Sequence, residues 1–275
     1  MSEGGRDNLN TDRKQAVFFD IDGTIWNFHN EIPHSAVEAI RSLRANGHPA
    51  FLCSGRTRAY IRHPELLGIG FDGIVSGCGT MLEYRGETLF YHQVAPELAL
   101  KAVTTARRYG FRPILEGAEY LYFDDADFGG DPYGEKLRRD MGERLRTIAD
   151  HWGTWEFSKF SCDTTGCDQA GCFAELPEFD PIVHNPNVVE LVPRGFDKGG
   201  GILQLCREIG WPEEDTVAFG DSYNDLGMFA ACGTSVCMGN GVEAAKAAAD
   251  LVTDPMERDG IYNACVRLGL IDSME

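Results

Sequence analysis

The chain has 275 residues, 43% hydrophobic and 25% charged, a globular balance that excludes disordered and collagen-like classes and suggests about two domains. Its net charge of −18 opposes the attraction to phosphate backbones that drives nonspecific nucleic-acid binding, so neither nucleic acid nor an anionic membrane surface is an expected partner. No apolar run approaches the roughly 18 residues of a membrane-spanning helix, and no leader pattern is present. The nine cysteines, an odd and scattered set, read as free thiols of a reducing, cytoplasmic compartment.

Residues 1–14 are polar and without period, and are expected to form a flexible tail. The run Ala16-Val17-Phe18-Phe19-Asp20-Ile21 then reads as a strand buried on both faces of a parallel sheet. A helix pattern begins at Pro33 and stops at Gly47, followed by the strands Pro49–Cys53 and Gly73–Ser76. Strand, helix, strand in this order predicts a right-handed parallel α/β unit. From about Glu83 to Glu190 the texture changes. Met81–Tyr91 looks like an antiparallel hairpin, Pro96–Tyr109 like a helix and Tyr120–Phe123 like a strand. A helical run over about Asp131–Trp152 and a half-exposed strand over Trp155–Ser161 follow. The buried-strand rhythm resumes at Val188–Val192. A helix over Lys198–Ile209, the strand Thr216–Gly220, a helix from Asn224, and strands near Ser235 and Leu251 flanking a helix near Glu243 complete the series. The expected fold is a doubly wound, Rossmann-like parallel-sheet core, residues 15–82 and 191–275, with an inserted α/β cap domain, residues 83–190.

In an open α/β sheet, ligands sit at the carboxyl ends of the strands. Four polar clusters fall there: Asp20 and Asp22 after the first strand, Ser54 after the second, Lys198 at a helix start, and Asp221 with Asp225 after the Phe219 strand. Carboxylate oxygens of this kind suit magnesium, and a lysine with a serine hydroxyl can hold an anion beside it. Taken singly, each has an ordinary explanation: loop capping for the Asp pair, an N-cap for Ser54, a solvated charge for Lys198 and a helix-dipole partner for Asp225. Their order at successive strand ends favours a site.

Phe19-Asp20-Ile21-Asp22-Gly23-Thr24, Cys53-Ser54-Gly55-Arg56, Lys198 and Gly220-Asp221-Ser222-Tyr223-Asn224-Asp225 resemble the four ordered motifs of the haloacid dehalogenase superfamily of phosphatases. Met228, Val236-Cys237-Met238-Gly239-Asn240-Gly241, Lys246, Ala249-Asp250, Val252-Thr253 and Asp259-Gly260-Ile261 look like its Cof-type subfamily, in which an α/β cap lies between the second and third motifs. The resemblance implies a magnesium-dependent phosphomonoester hydrolase for a small phosphorylated metabolite, a sugar phosphate or nucleotide. Asp20 is then the nucleophile that forms an aspartyl-phosphate. Asp22 is the general acid and base, a role that needs a raised pKa in the substrate complex. The resemblance assigns Mg2+ to a carboxylate oxygen of Asp20, the backbone carbonyl of Asp22, and Asp221, with Asp225 completing or orienting the site. Ser54, Lys198 and Asn224, with backbone N–H groups of Gly23 and Gly55, are the implied phosphate contacts. Ser54 stands where the family often has threonine, and either hydroxyl donates.

Gly199-Gly200-Gly201 after Lys198 is glycine-rich for a helix start, which suggests either a close backbone approach to phosphate or a loosely packed first turn. Gly68-Ile69-Gly70-Phe71-Asp72-Gly73 matches a dinucleotide-binding pattern but precedes a strand instead of opening a helix. Cys162, Cys167 and Cys172 are spaced too widely for a zinc site. From Tyr84 to Glu190 the chain holds 11 Lys and Arg against 19 Asp and Glu, so the insertion offers no general site for a polyanion. Tyr120, Tyr122, Phe123, Arg112, Lys159, His151 and His184 are candidates to face the core. Two alternatives keep the phosphate chemistry: a phosphomutase or phosphotransferase that passes the group to a sugar hydroxyl, and a non-enzymatic phosphate-responsive regulator, which Asp22 and the large insertion argue against. Oligomeric state is not legible.

Overall fold

The computed structural model describes residues 13–273. Residues 1–12 of the expected tail lie outside the described residues, while Arg13 pairs with Asp215 at 2.6 Å. Fourteen strands are described in chain order: β1 Ala16–Phe19, β2 Ala50–Cys53, β3 Gly73–Ser76, β4 Met81–Tyr84, β5 Glu87–Tyr91, β6 Arg112–Glu116 and β7 Leu121–Tyr122. They continue with β8 Leu145–Arg146, β9 Lys159–Asp163, β10 Phe179–Asn185, β11 Val188–Pro193, β12 Thr216–Gly220, β13 Thr234–Cys237 and β14 Leu251–Val252. They form two sheets, one of eight strands in the order β14-β13-β12-β1-β2-β3-β4-β5 and one of six in the order β10-β11-β9-β6-β7-β8.

In the larger sheet β14 through β3 are parallel, in keeping with their mostly apolar, buried sequences, and β4 and β5 add an antiparallel edge. The alternation of β1 divides the core. Val17 and Phe19 pack under the helices His34–Ala45 and Gly260–Arg267, and Ala16 and Phe18 under Lys198–Ile209 and Leu226–Ala231. Phe18 stacks on Phe51 at 4.8 Å and Phe19 on Phe219 at 4.9 Å, so one cross-strand aromatic pair on each face ties β1 to a different neighbour. The protein is thus a doubly wound α/β core. Strands run outward from β1 through β2 and β3 on one side and through β12, β13 and β14 on the other. The crevice at this reversal, beyond the carboxyl ends of β1 and β12, is where such sheets bind ligands.

The smaller sheet is the inserted α/β domain. Its one face packs on the helix Pro96–Arg108 and on Gln169–Glu175 through Ala102, Ala106, Phe160 and Leu191. On its other side Ile114, Leu121, Phe123 and Leu137 cluster with Ala59 and pack against Tyr60 of the first sheet's loops. Several elements differ from expectation. The hairpin 81–91 extends the large sheet because β4 pairs with β3 from Gly73↔Tyr84 to Ser76↔Met81. The Val188 strand, expected in the core, is β11 of the smaller sheet, paired antiparallel with β9 and β10. The helix expected over Asp131–Trp152 is Pro132–Met141, ended by Gly142 at φ +52°. The half-exposed strand expected from Trp155 begins only at Lys159. The unforeseen β6 and β10 carry Pro113 and Pro181, residues that argue against strands because they donate no ladder hydrogen bond. No helix among the described residues is long and apolar enough to cross a membrane.

Candidate active site

The amide of Asp20 donates to the Phe219 carbonyl at 2.9 Å, extending the β1–β12 ladder by one rung before the strands part. Its carboxylate therefore stands at the mouth of the crevice, and Asp221 leaves β12 directly opposite. Between them Gly23 turns the chain at φ +79°, and a Cβ there would lie 2.4 Å from Asp221 Oδ2. Asn240 clamps this loop, its Nδ2 donating to the Gly23 carbonyl at 2.8 Å while its Oδ1 accepts from the Met256 amide at 3.0 Å. That contact gives the Gly239-Asn240-Gly241 segment a structural task.

Lys198 reaches the crevice from the first turn of its helix, where Asp197 caps the Gly200 amide at 2.6 Å. Its Nζ donates at 2.6 Å to Asp20 Oδ1, at 2.6 Å to Asp225 Oδ1 and at 3.3 Å to Asn224 Oδ1. The ammonium is fully buried, and although burial alone would favour the neutral amine, two carboxylates in contact raise its pKa well above the ordinary lysine value and keep it charged. The glycines beside it serve packing. A Cβ on Gly199 would meet the Gly227 carbonyl at 2.3 Å, and one on Gly201 would meet the Gly79 Cα at 2.7 Å. At Gly199 and Gly201 the missing side chains thus let the helix approach neighbouring backbone closely.

Asp225 spends both oxygens. Oδ1 takes Lys198, and Oδ2 accepts from the amides of Asp221 and Ser222 at 2.8 and 2.9 Å in a capping box. Ligand oxygens of Asp20, Asp221 and Asp225 lie within 4.8 Å of one another. Burial, reinforced by the charge of Asp225, pushes Asp221 up to about 7. Burial likewise raises Asp20, against the pull of Lys198. Carboxylates crowded so closely with one ammonium among them are the donor set a hard divalent cation fits.

Ser54 Oγ accepts from the Arg56 amide at 3.1 Å and is buried at the end of β2. Its hydroxyl proton remains available to an anion. Asn224, at the carboxyl end of β12, also takes the Ser222 hydroxyl at 2.7 Å, which turns its amide NH2 toward Gly55. A cavity of about 350 Å3 joins Asp20, Ser54, Gly55, Asp221 and Asn224, so the strand-end residues read from the sequence do converge. Gly23 lines the same cavity, but its N–H donates to the Trp26 carbonyl at 2.9 Å. The expected phosphate contact from this amide is therefore already spent, and Gly23 contributes room for Asp221 instead. Gly23→Ala is expected to cost about 1–2 kcal/mol in backbone strain and to displace Asp221. A thermal melt with and without Mg2+ checks this, since the variant should lose most of the cation-dependent rise in Tm.

Asp22 is half-exposed and engaged elsewhere. Arg56 Nε and Nη2 each donate to it at 2.7 Å, and Trp26 Nε1 donates at 2.9 Å. Burial pushes the Asp22 carboxyl up, yet the charge and hydrogen bonds of Arg56 outweigh it and hold the pKa below the usual range. In this structure the shift is thus opposite to the raised value expected for a substrate complex. Arg56 itself is sandwiched, 4.2 Å from the Tyr60 ring centroid and 5.2 Å from Trp26. The sequence placed Arg56 in a motif without assigning it a partner. Its 34-residue separation from Asp22 left no local signal.

Of the inserted-domain candidates, Lys159 and His184 face the core site, whereas Tyr122 and Phe123 are core residues, Tyr120 stacks under Arg146, Arg112 pairs with Asp163, and His151 lies against Tyr122. Glu190 and Glu116, unforeseen, also line this side.

The haloacid dehalogenase-like hydrolase family model matches residues 17–265. YkrA of Bacillus subtilis strain 168 is 30% identical over 93% of this chain and 98% of its own. The pyridoxal phosphate phosphatase YbhA of Escherichia coli K12 is 26% identical over 90% of this chain and 96% of its own. Among solved structures, the HAD subclass IIB sugar phosphatase BT4131 superposes with a TM-score of 0.79 at 26% identity, over 94% of this chain and all of that one. A parallel core with an inserted α/β domain, carboxylates and a lysine gathered at its strand reversal, and a family match spanning nearly all the described residues lead to one assignment: the chain belongs to the haloacid dehalogenase-like hydrolases.

Proposed function

We propose that the protein is a magnesium-dependent phosphomonoester hydrolase for a small phosphorylated metabolite, working through an aspartyl-phosphate on Asp20. The observation that carries this is Lys198, buried between Asp20 and Asp225 behind a cavity that Asp20 and Asp221 line together with Ser54 and Asn224. Lys198 holds Asp20 Oδ1, which orients the carboxylate and leaves Oδ2 to attack phosphorus. Ser54, Asn224 and the Gly55 amide hold the phosphoryl oxygens. Asp22 protonates the leaving alcohol and in the second step takes a proton from the water that hydrolyses the acyl phosphate. The Arg56 pair favours the carboxylate, the form the second step needs, so the pair loosens when Asp22 acts as the acid.

Asp20 and Asp221, with the Asp22 carbonyl, are the ligands assigned to Mg2+, and Asp225 orients Lys198 and the Asp221 loop. The cation, when bound, neutralises charge on the phosphoryl group. The inserted domain, taken to run from about 92 to 194 on strand membership, acts as the cap that meets the leaving group. All nine cysteines are unpaired, which supports a reducing, cytoplasmic setting.

The test is phosphate release from p-nitrophenyl phosphate and a panel of phosphorylated metabolites with Mg2+ or with a chelator. Chelation should lower the rate by about 10²-fold or more, and equal rates would overturn the metal assignment. The position of Asp221 gives the pH dependence its sign. The cation binds the ionised carboxylate, and Asp221 without it titrates near 7. Below pH 7 one proton must leave on binding, so Mg2+ affinity should fall about tenfold per pH unit, and above it this group adds no dependence. Calorimetric titration at pH 6 and pH 8 measures it, and equal affinities at the two values would overturn the assignment of Asp221 as a ligand.

A further inference from the structure

Beside the phosphate cavity, between the two sheets, lies a second space of about 170 Å3. Asp22, Arg56 and Glu190 line both spaces, so the two meet at the group that protonates the leaving oxygen under the function proposed above. The far wall is set by strand register. Glu116 of β6 lies opposite Lys159 of β9, and Ser161 of β9 opposite Glu190 of β11, which puts all four side chains on the core-facing side of the smaller sheet.

Lys159 is 1% exposed and Glu116 6%. Lys159 Nζ lies 2.8 Å from Glu190 Oε2 and 3.2 Å from Glu116 Oε1, the latter also accepting from the Ser161 hydroxyl. Among the described residues only Oε1 of Glu116 is engaged, so one oxygen of a buried carboxylate has no partner in a wall that borders open space. Desolvating such a triad is costly, and apolar residues of similar size would stabilise a packed wall at least as well. Its place at a cavity points to a ligand.

The chemistry of that ligand follows from the charges. Lys159 is shared by two carboxylates, and Arg56 is bidentate on Asp22, so neither cation has charge to spare. Glu190 is held by Lys159 and, on its other oxygen, by His184 Nε2 at 3.0 Å, and Asp22 by Arg56 and Trp26, so the second oxygen of Glu116 and the hydroxyls of Ser161 and Tyr133 are left to accept from hydroxyl donors. Ile114 and Leu121 supply an apolar side. The space, about 170 Å3, has room for a chain of several hydroxylated carbons. We infer that Glu116 and Glu190 make the leaving-group side of the site select by charge, turning over substrates with an uncharged polyhydroxylated leaving group and rejecting those with a second anionic group. This inference rests on the hydrolase reading.

Sorbitol 6-phosphate and 6-phosphogluconate differ only in a terminal CH2OH against a carboxylate, and they test it as a matched pair. Wild-type kcat/KM should favour sorbitol 6-phosphate by at least about 30-fold, and Glu116→Gln should cut that ratio about tenfold by raising turnover of 6-phosphogluconate. A gain of this kind cannot come from unfolding, and Glu190→Gln repeats the test if the first variant fails to fold. Equal turnover of the pair, preference for the carboxylate, or an unchanged ratio in both variants overturns the inference. Release from p-nitrophenyl phosphate with neither sugar compound cleaved overturns it and leaves the hydrolase reading standing. No release from any of the three overturns the hydrolase reading, and the inference with it.

Discussion

Asp20→Asn should lower kcat for phosphate release by about 10³-fold or more while the fold persists. The neutral amide is no nucleophile toward phosphorus, so the loss falls on the chemical step, with little change expected in KM. Persistence of the fold follows from the remaining contacts. Lys198 keeps its 2.6 Å bond to Asp225, and the Asp20 backbone keeps its place in the β1–β12 ladder. The exchange also lowers the negative charge of a cluster in which burial already raises Asp20. Unchanged melting with lost turnover is the expected pair of readings. Acid-quenched wild type incubated with labelled substrate should retain phosphate on the chain, and the variant should not. Equal turnover in the two proteins would remove Asp20 as the nucleophile.

Lys198→Met should be severe in a different way. It withdraws the ammonium that contacts both Asp20 and Asp225, two carboxylates with side chains 6% and 0% exposed. Breaking a buried ion pair from one side costs about 3–5 kcal/mol because the partner charge stays buried. The expected fall in Tm is on the order of 10 °C. Turnover should also fall by at least about 10²-fold, since under the proposed function the same ammonium aligns the nucleophile and meets the phosphoryl charge. Lys198→Met combined with Asp225→Asn should melt higher than Lys198→Met alone, because the second change removes one of the stranded charges. Recovery of stability without recovery of turnover is the expected pattern. A double variant no more stable than the single would show that the loss comes from packing of the lysine stem. The single variant should also show a larger rise in Tm with Mg2+ than wild type, as a cation partly replaces the missing charge.

The strand-end residues were legible because their signals are local. Buried parallel strands announce themselves as short apolar runs, and the loop that follows each carries its functional residues within a few positions. Phe19 to Asp22 and Phe219 to Asp225 could therefore be placed on the same sheet edge before any pairing was known, and their resemblance to a family's ordered motifs agreed. The inserted domain was legible in position but not in detail. Pro113 and Pro181 disguised two strands, Gly142 cut short a helix whose apolar spacing continued, and the hairpin 81–91 carried no mark of which sheet it would join.

By itself the sequence determined the class of fold and the polar residues at the strand ends, because both follow from hydrophobic period and short spacing, and the resemblance of those residues to a family's ordered motifs supplied the rest. Only the tertiary structure decided that Arg56 binds Asp22, that Gly23 spends its amide on Trp26 and yields space to Asp221, and that Glu116, Lys159 and Glu190 meet in the wall of a cavity beside Asp22. Period assigns a side chain to a face. Its partner on that face depends on antiparallel register and on how the two sheets dock, which are set by contacts between residues far apart in the chain.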